Sequence, residues 1–193
     1  MRNTDILGSE VNDGKEGEVL NRPIRATEDG WELEADPRHA ELIIRTLDLE
    51  GTTGVATPGV DDVDTDAKQD EGAIDASKFR SVAARATFLA QDRFDTTFAA
   101  KEACWDMPKT VESSWTKAKR IGRHLVRHPR AVVFYNMQDP IDFLNVYADA
   151  NWAGCKVSRK STSVGCLMKG QYLKRFWSKT QATIAQSSGE SEL

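Results

Sequence analysis

Three acidic residues in the last quarter of the chain have the residue type and setting for metal chemistry. Asp149 closes the apolar run Phe-Leu-Asn-Val-Tyr-Ala-Asp (143–149), and the final residues Ser-Gly-Glu-Ser-Glu-Leu carry Glu190 and Glu192. Hard divalent cations take oxygen ligands, and carboxylates supply them with compensating charge. Taken alone, Asp149 is also an ordinary strand-end acid, and Glu190 an ordinary acid of a helix first turn. The sequence therefore poses one question: whether Asp149 and a late glutamate share a site.

A second set is cationic. In residues 110–128, Val111, Trp115, Ala118, Gly122 and Leu125 recur at helical spacing as an apolar stripe. Lys119, Arg123 and Arg127 repeat every four residues on another face, with Lys117 and Arg120 beside them. Arg130 follows Pro129, and Arg159 and Lys160 stand after Asp149. Such a stripe can neutralise phosphates and track a nucleic-acid backbone without reading bases. An ordinary solvated face has the same pattern. His124 and His128 lie one turn apart without an evident third ligand, so they are expected to be a surface pair, not a metal site.

These residues need elements to hold them. Residues 19–27 suit a strand, Glu28-Asp29-Gly30 a turn, and 31–35 a second strand of the same hairpin. Asp36 and Pro37 suit the cap and first position of a helix carrying Ala40, Ile43, Ile44 and Leu47. Residues 51–75 hold glycines, a proline and many acids without calcium-loop spacing, and read as a linker. Helices follow: one with Phe79, Val82, Ala86 and Leu89 on one face, a short one stopped by Pro108, and the basic one stopped by Pro129. The last third turns to strands at 131–135, 143–149, 161–170 and 171–179, the final two joined at a glycine. Ser187 or Ser188 then caps a helix.

Composition sets the outer limits. The 193 residues suit one domain or two small ones. The net charge of −4 divides into −13 for residues 1–76 and +9 for 77–193, an asymmetry that suits a nucleic-acid partner for the second half. No run reaches bilayer length and the N-terminus lacks an apolar signal core, so an intracellular protein, cytoplasmic or nuclear, is expected. Cys104, Cys155 and Cys166 form no CxxC and indicate neither a disulfide framework nor a zinc site.

The ordered motifs "YADANWAG", "SRKSTSVGCLM" and "FWSKTQATIAQSSGESEL" resemble the start of the ribonuclease H domain in copia-type retrotransposon Pol polyproteins. Upstream, "EADPRHAELIIRTLDLEG" with "VATPGV" resembles the end of the reverse transcriptase. "FRSVAARATFLAQDRFDTTFAAKEACWDM" and "SWTKAKRIGRHLVRHPR" resemble the segment connecting the two. Asn151 stands where the family usually has Asp, and the polymerase Tyr-x-Asp-Asp motif has no counterpart.

The resemblance implies an α+β protein in which a helical connection segment precedes the three N-terminal strands of a ribonuclease H-like mixed sheet, incomplete here. Its parts would be a flexible N-terminus (1–18), a reverse-transcriptase hairpin and helix (19–50), an acidic linker (51–76), a helical connection (77–138) and a truncated ribonuclease H-like domain (139–193). It implies that Asp149 and Glu192 are catalytic and bind magnesium, which in the complete family serves hydrolysis of RNA–DNA hybrids. Glu192 is preferred to Glu190 because it precedes Leu193, as in the family's Glu-Tyr or Glu-Leu pair. The family's later carboxylates lie beyond Leu193, so this chain alone is expected to be inactive. RNA–DNA hybrid or another nucleic acid and the remaining polyprotein segments are the implied partners, with no membrane. The alternative is a non-catalytic nucleic-acid-binding module using the basic helix of 117–130.

Overall fold

The structure, a computed structural model, describes residues 7–8, 10–11, 13–59, 75–155 and 158–192. Most of the expected acidic linker, residues 60–74, lies outside the described residues, as do residues 1–6, 9 and 12 of the expected flexible start, residues 156–157 and Leu193.

The first sheet is built from both halves of the sequence. Strands β1 (Glu16–Val19), β2 (Arg22–Ala26) and β3 (Gly30–Glu34) form an antiparallel meander. Strand β4 (Val132–Asn136) then pairs antiparallel with β3, Gly30 opposite Asn136 and Glu34 opposite Val132. The expected hairpin is present as β2 and β3. The single strand expected over 19–27 is broken, because Leu20 and Asn21 both take left-handed φ values of 52° and 62° and turn the chain between β1 and β2. Part of the expected flexible start is therefore strand β1.

Four helices pack on one another: α1 (Pro37–Thr46), α2 (Ala76–Leu89), α3 (Thr97–Trp105) and α4 (Glu112–Arg127). The Asp36 carboxylate accepts the Arg38 amide at 3.0 Å, and Asp75 accepts the Lys78 amide at 2.9 Å. The expected apolar faces are buried. Ile43, Phe79, Val82, Ala86, Leu89, Ala118, Ile121 and Leu125 form one core. Gly122 lies where α4 crosses the end of α1; a Cβ there would lie 2.5 Å from Leu49 Cδ1 and 3.1 Å from Leu47 Cδ1, so these side chains would have to shift. Alanines 83, 86, 99, 100 and 103 are buried and let α2 and α3 approach closely.

The second sheet comprises β5 (Asn145–Asn151), β6 (Thr162–Lys169) and β7 (Tyr172–Thr180), in that spatial order and antiparallel throughout. The mixed sheet expected for this region is not formed among the described residues. Each strand here reverses into the next, and parallel pairing would need a longer crossover. A single turn of helix, α5 (Ser188–Ser191), follows and lies against β5. The two sheets meet through Tyr135 and Tyr172, whose rings are 5.7 Å apart, and through Asn136 Nδ2 donating to Gln171 Oε1 at 2.6 Å. The helices meet β7 through Phe94 and Phe176, ring centroids 6.1 Å apart. The architecture is thus mixed α and β, with five α-helices and two antiparallel sheets among the described residues.

Candidate functional site

Asp149 sits near the end of β5, opposite Val164 of β6. It is exposed, and its Oδ1 accepts the Ala150 amide at 2.8 Å. Strand alternation puts its side chain on the face of Tyr147, Val164 and Cys166. β5 is an edge strand, so nothing in the second sheet covers its far side.

Three side chains outside any expected site hold the connection to α5. Trp152 Nε1 donates to the Ala185 carbonyl at 3.1 Å. Gln181 Nε2 donates to Ser163 Oγ at 2.9 Å and also to the Ser191 carbonyl. Ser187 Oγ accepts the Glu190 amide at 3.2 Å as the expected cap. Ser163 belongs to the sheet face opposite that of Asp149, so α5 approaches from that opposite face. Glu192, exposed at the end of α5, and Asp149 can therefore share a cation only around the open edge of β5. Among the described residues no group of three or more His, Cys, Asp or Glu side chains is gathered for a metal ion.

Four of the eight cations expected to contact nucleic acid are engaged within the protein by their side chains. Lys117 Nζ donates to Asp106 at 2.8 Å, Arg120 to Thr57 Oγ1 at 2.8 Å, and Arg123 Nε to the Thr53 carbonyl at 2.8 Å. Arg130 makes a two-bond pair with Glu34. Lys119 and Arg127 are exposed on α4. Arg159, exposed, takes a left-handed φ of 58° in the loop where its amide donates to the Cys155 carbonyl at 2.7 Å, and the Lys160 carbonyl accepts the Cys155 amide at 3.1 Å. The sequence could not anticipate the engaged pairs, because Thr53, Thr57 and Asp106 come from other elements, not from neighbouring helical turns.

The expected surface histidine pair is half wrong. His124 is buried, 4% exposed, and its Nε2 lies 2.8 Å from Asp95 Oδ2. Arg93, 2% exposed, donates to both Asp95 oxygens at 3.0 and 2.6 Å and to the His128 carbonyl at 2.8 Å. Burial pushes the Asp95 carboxyl up, but the hydrogen bonds and charges of Arg93 and His124 outweigh it and hold it below its ordinary range. The driver is Arg93: a buried guanidinium needs an anion, and His124 is the donor that completes it. This cluster fastens the end of α4 to the start of α3.

Three curated proteins are similar to this sequence. A protein named "Uncharacterized mitochondrial protein AtMg00810", from Arabidopsis thaliana, is 30% identical over 121 residues, covering 61% of this chain and 49% of that protein. The "Retrovirus-related Pol polyprotein from transposon RE2" of the same plant is 27% identical over 171 residues, 84% of this chain and 12% of the polyprotein. The chain is a relative of retrotransposon Pol polyproteins. The corresponding polyprotein from transposon RE1 agrees, at 29% identity over 118 residues, 61% of this Pol-related chain and 8% of the polyprotein. The chain thus spans about half the first relative and a small part of each polyprotein. No protein-family model matches it, and no solved structure matches it. No helix among the described residues is long and apolar enough to cross a membrane.

Proposed function

We propose that this chain corresponds to the part of a Pol polyprotein that runs from the end of the reverse transcriptase, through a helical connection, into a ribonuclease H-like domain beginning near residue 139. The observation that carries this reading is the order strand, strand, strand, helix turn, with α5 lying against the first strand on the motifs of residues 146–192. Its similarity to Pol polyproteins over 84% of its length supports the same reading. In the complete domain the reaction is hydrolysis of the RNA strand of an RNA–DNA hybrid, and Asp149 and Glu192 are two of its carboxylates.

The residues present do not suffice for the magnesium pair that this chemistry uses. Magnesium favours six oxygen ligands in near-octahedral geometry, and a two-ion site needs several carboxylates to offset four positive charges. Two acids approaching from opposite faces of one edge strand do not supply that donor set, so no hydrolytic step is assigned to this chain. Its own contribution is to hold Asp149 at an open strand edge with one oxygen already turned to a backbone amide. The α4 cations favour a structural role over a duplex-binding one, because Lys117, Arg120 and Arg123 are engaged by the protein itself.

The test uses an RNA–DNA hybrid and magnesium. The 193-residue chain leaves the hybrid intact, whereas the chain joined to the downstream part of a related Pol polyprotein cleaves it, and Asp149→Asn abolishes that cleavage. Cleavage by the longer protein that survives Asp149→Asn would overturn the assignment of Asp149. Magnesium-dependent cleavage by the 193-residue chain, lost in Asp149→Asn, would overturn its inactivity.

A further inference from the structure

The chain that leaves α1 crosses α4 as a strap. The Val55 amide donates to the Arg123 carbonyl at 3.1 Å, and Arg123 Nε donates to the Thr53 carbonyl at 2.8 Å. Gly54 lies so close to α4 that a Cβ there would fall 2.6 Å from Arg127 Cβ. Gly59 then reaches α3, where a Cβ would lie 3.5 Å from Ala99 Cβ. Between these two contacts Thr57 is exposed, and its Oγ1 accepts Arg120 Nη2 at 2.8 Å.

Two other guanidinium groups show what this edge of an arginine ordinarily holds. Arg93 gives Nε and Nη2 to the two oxygens of Asp95, and Arg130 gives the same pair to Glu34. Arg120 gives Nη2 to a single neutral hydroxyl, and its Nε is buried without a partner. A buried donor left unmatched costs stability, more so on a charged group. Among the described residues the ion pairs of α4 are those of Lys117 with Asp106 and His124 with Asp95, so no carboxylate completes Arg120. A fork with one empty prong, beside an exposed hydroxyl, fits a group that adds charged oxygens to that same hydroxyl. A phosphate ester does this.

The sequence carries a matching signal. The six prolines follow Arg22, Asp36, Thr57, Met107, His128 and Asp139, so Thr57 is the one serine or threonine of the chain that precedes a proline. Proline disfavours helix at the residue before it, and Thr57 stands in an exposed, non-helical stretch that a kinase cleft can take.

We propose that Thr57 is a phosphorylation site, modified by a proline-directed serine/threonine kinase and read by Arg120. The γ-phosphoryl group of ATP passes to Thr57 Oγ1. The bond from phosphorus to the bridging oxygen of ADP breaks, the bond to Oγ1 forms, and the hydroxyl proton leaves to solvent. The product is a phosphate ester beside Arg120, with Arg123 one turn further along the same helix face. It draws the strap onto α4 and ties α1, α3 and α4 together. This site stands or falls without the hydrolytic reading.

The test treats the full chain with ATP and a proline-directed kinase. Mass spectrometry is expected to show one phosphoryl group per chain, and none in Thr57→Val. Hydrogen exchange of the Val55 amide, which the strap holds on the Arg123 carbonyl, slows about tenfold on phosphorylation, as new charge-assisted hydrogen bonds would give. Arg120→Gln is still phosphorylated but loses the slowing, and Arg120→Lys, which keeps the charge without the fork, retains only part of it. Absence of transfer to the folded chain, transfer that persists in Thr57→Val, exchange at Val55 that is unchanged or faster after modification, or equal slowing in Arg120→Gln would each overturn the inference. So would equal slowing of the unmodified chain by inorganic phosphate, which would make the site one for a free anion.

Discussion

Arg130 and Glu34 are joined by two hydrogen bonds, Nε to Oε1 at 2.6 Å and Nη2 to Oε2 at 2.8 Å, across 96 residues of chain. Arg25 Nη1 reaches the same carboxylate at 2.7 Å. Glu34 is 5% exposed and ends β3, so this knot holds the first sheet to the chain leaving α4. The Arg130 hydrogen bond, then that of Arg25, hold the Glu34 carboxyl down at about 2 against the upward push of burial. A depressed acid contributes stability above its unfolded pKa and loses it as pH falls through the folded one. Glu34→Gln is therefore expected to cost about 2 kcal/mol at pH 7, discounted for the exposure of Arg130. The deficit shrinks as pH drops from about 4.5 toward about 2. Urea unfolding of both proteins across that range checks it.

Asp95→Asn removes the anion of a buried guanidinium. Arg93 then keeps its charge without its partner, and the expected loss is about 3 kcal/mol, larger than for Glu34→Gln. Because the Asp95 carboxyl is held below its ordinary range, its contribution is present at neutral pH and lost on acidification below that range. His124→Gln, which keeps a donor, costs less than Asp95→Asn. Denaturant midpoints of the two variants give the comparison.

Gly122→Val tests the crossing of α4 over the end of α1. The new side chain meets Leu49 and Leu47 inside van der Waals distance, and overpacking of this kind costs about 2 kcal/mol. The thermal midpoint falls although valine is the better helix former. An unchanged midpoint would mean that the two elements do not approach as described.

Most helices and strands were legible because their periodicities are clean. Phe79, Val82, Ala86 and Leu89 repeat at helical spacing and all are buried. The glycine joining 161–170 to 171–179 marks a hairpin that the structure contains. The Leu20–Asn21 turn was not legible, because neither residue demands a left-handed conformation. Nor was the pairing of β4 with β3, since nothing local to 131–135 records a partner a hundred positions earlier. The site divided in the same way. Asp149 and Glu192 are named through the family resemblance, and the sequence could name the elements they ride on. The tethers that aim α5, Gln181 and Ser163, were hidden in what reads as a polar connector. The basic stripe misled because helical spacing shows only neighbours on the same helix, while Thr53, Thr57 and Asp106 arrive from elsewhere.

The proposed assignment makes Asp149 and Glu192 carboxylates of one set, which could meet on a cation only around the open edge of β5. Manganese titrated into the nitrogen-15-labelled chain reads this directly through paramagnetic broadening. The amide signals of Asp149, Ala150 and Glu192 are expected to broaden together with one midpoint, weak and near the millimolar range for so few carboxylates. Asp149→Asn should abolish the broadening at Glu192. Broadening of Glu192 that persists unchanged in Asp149→Asn would contradict the account.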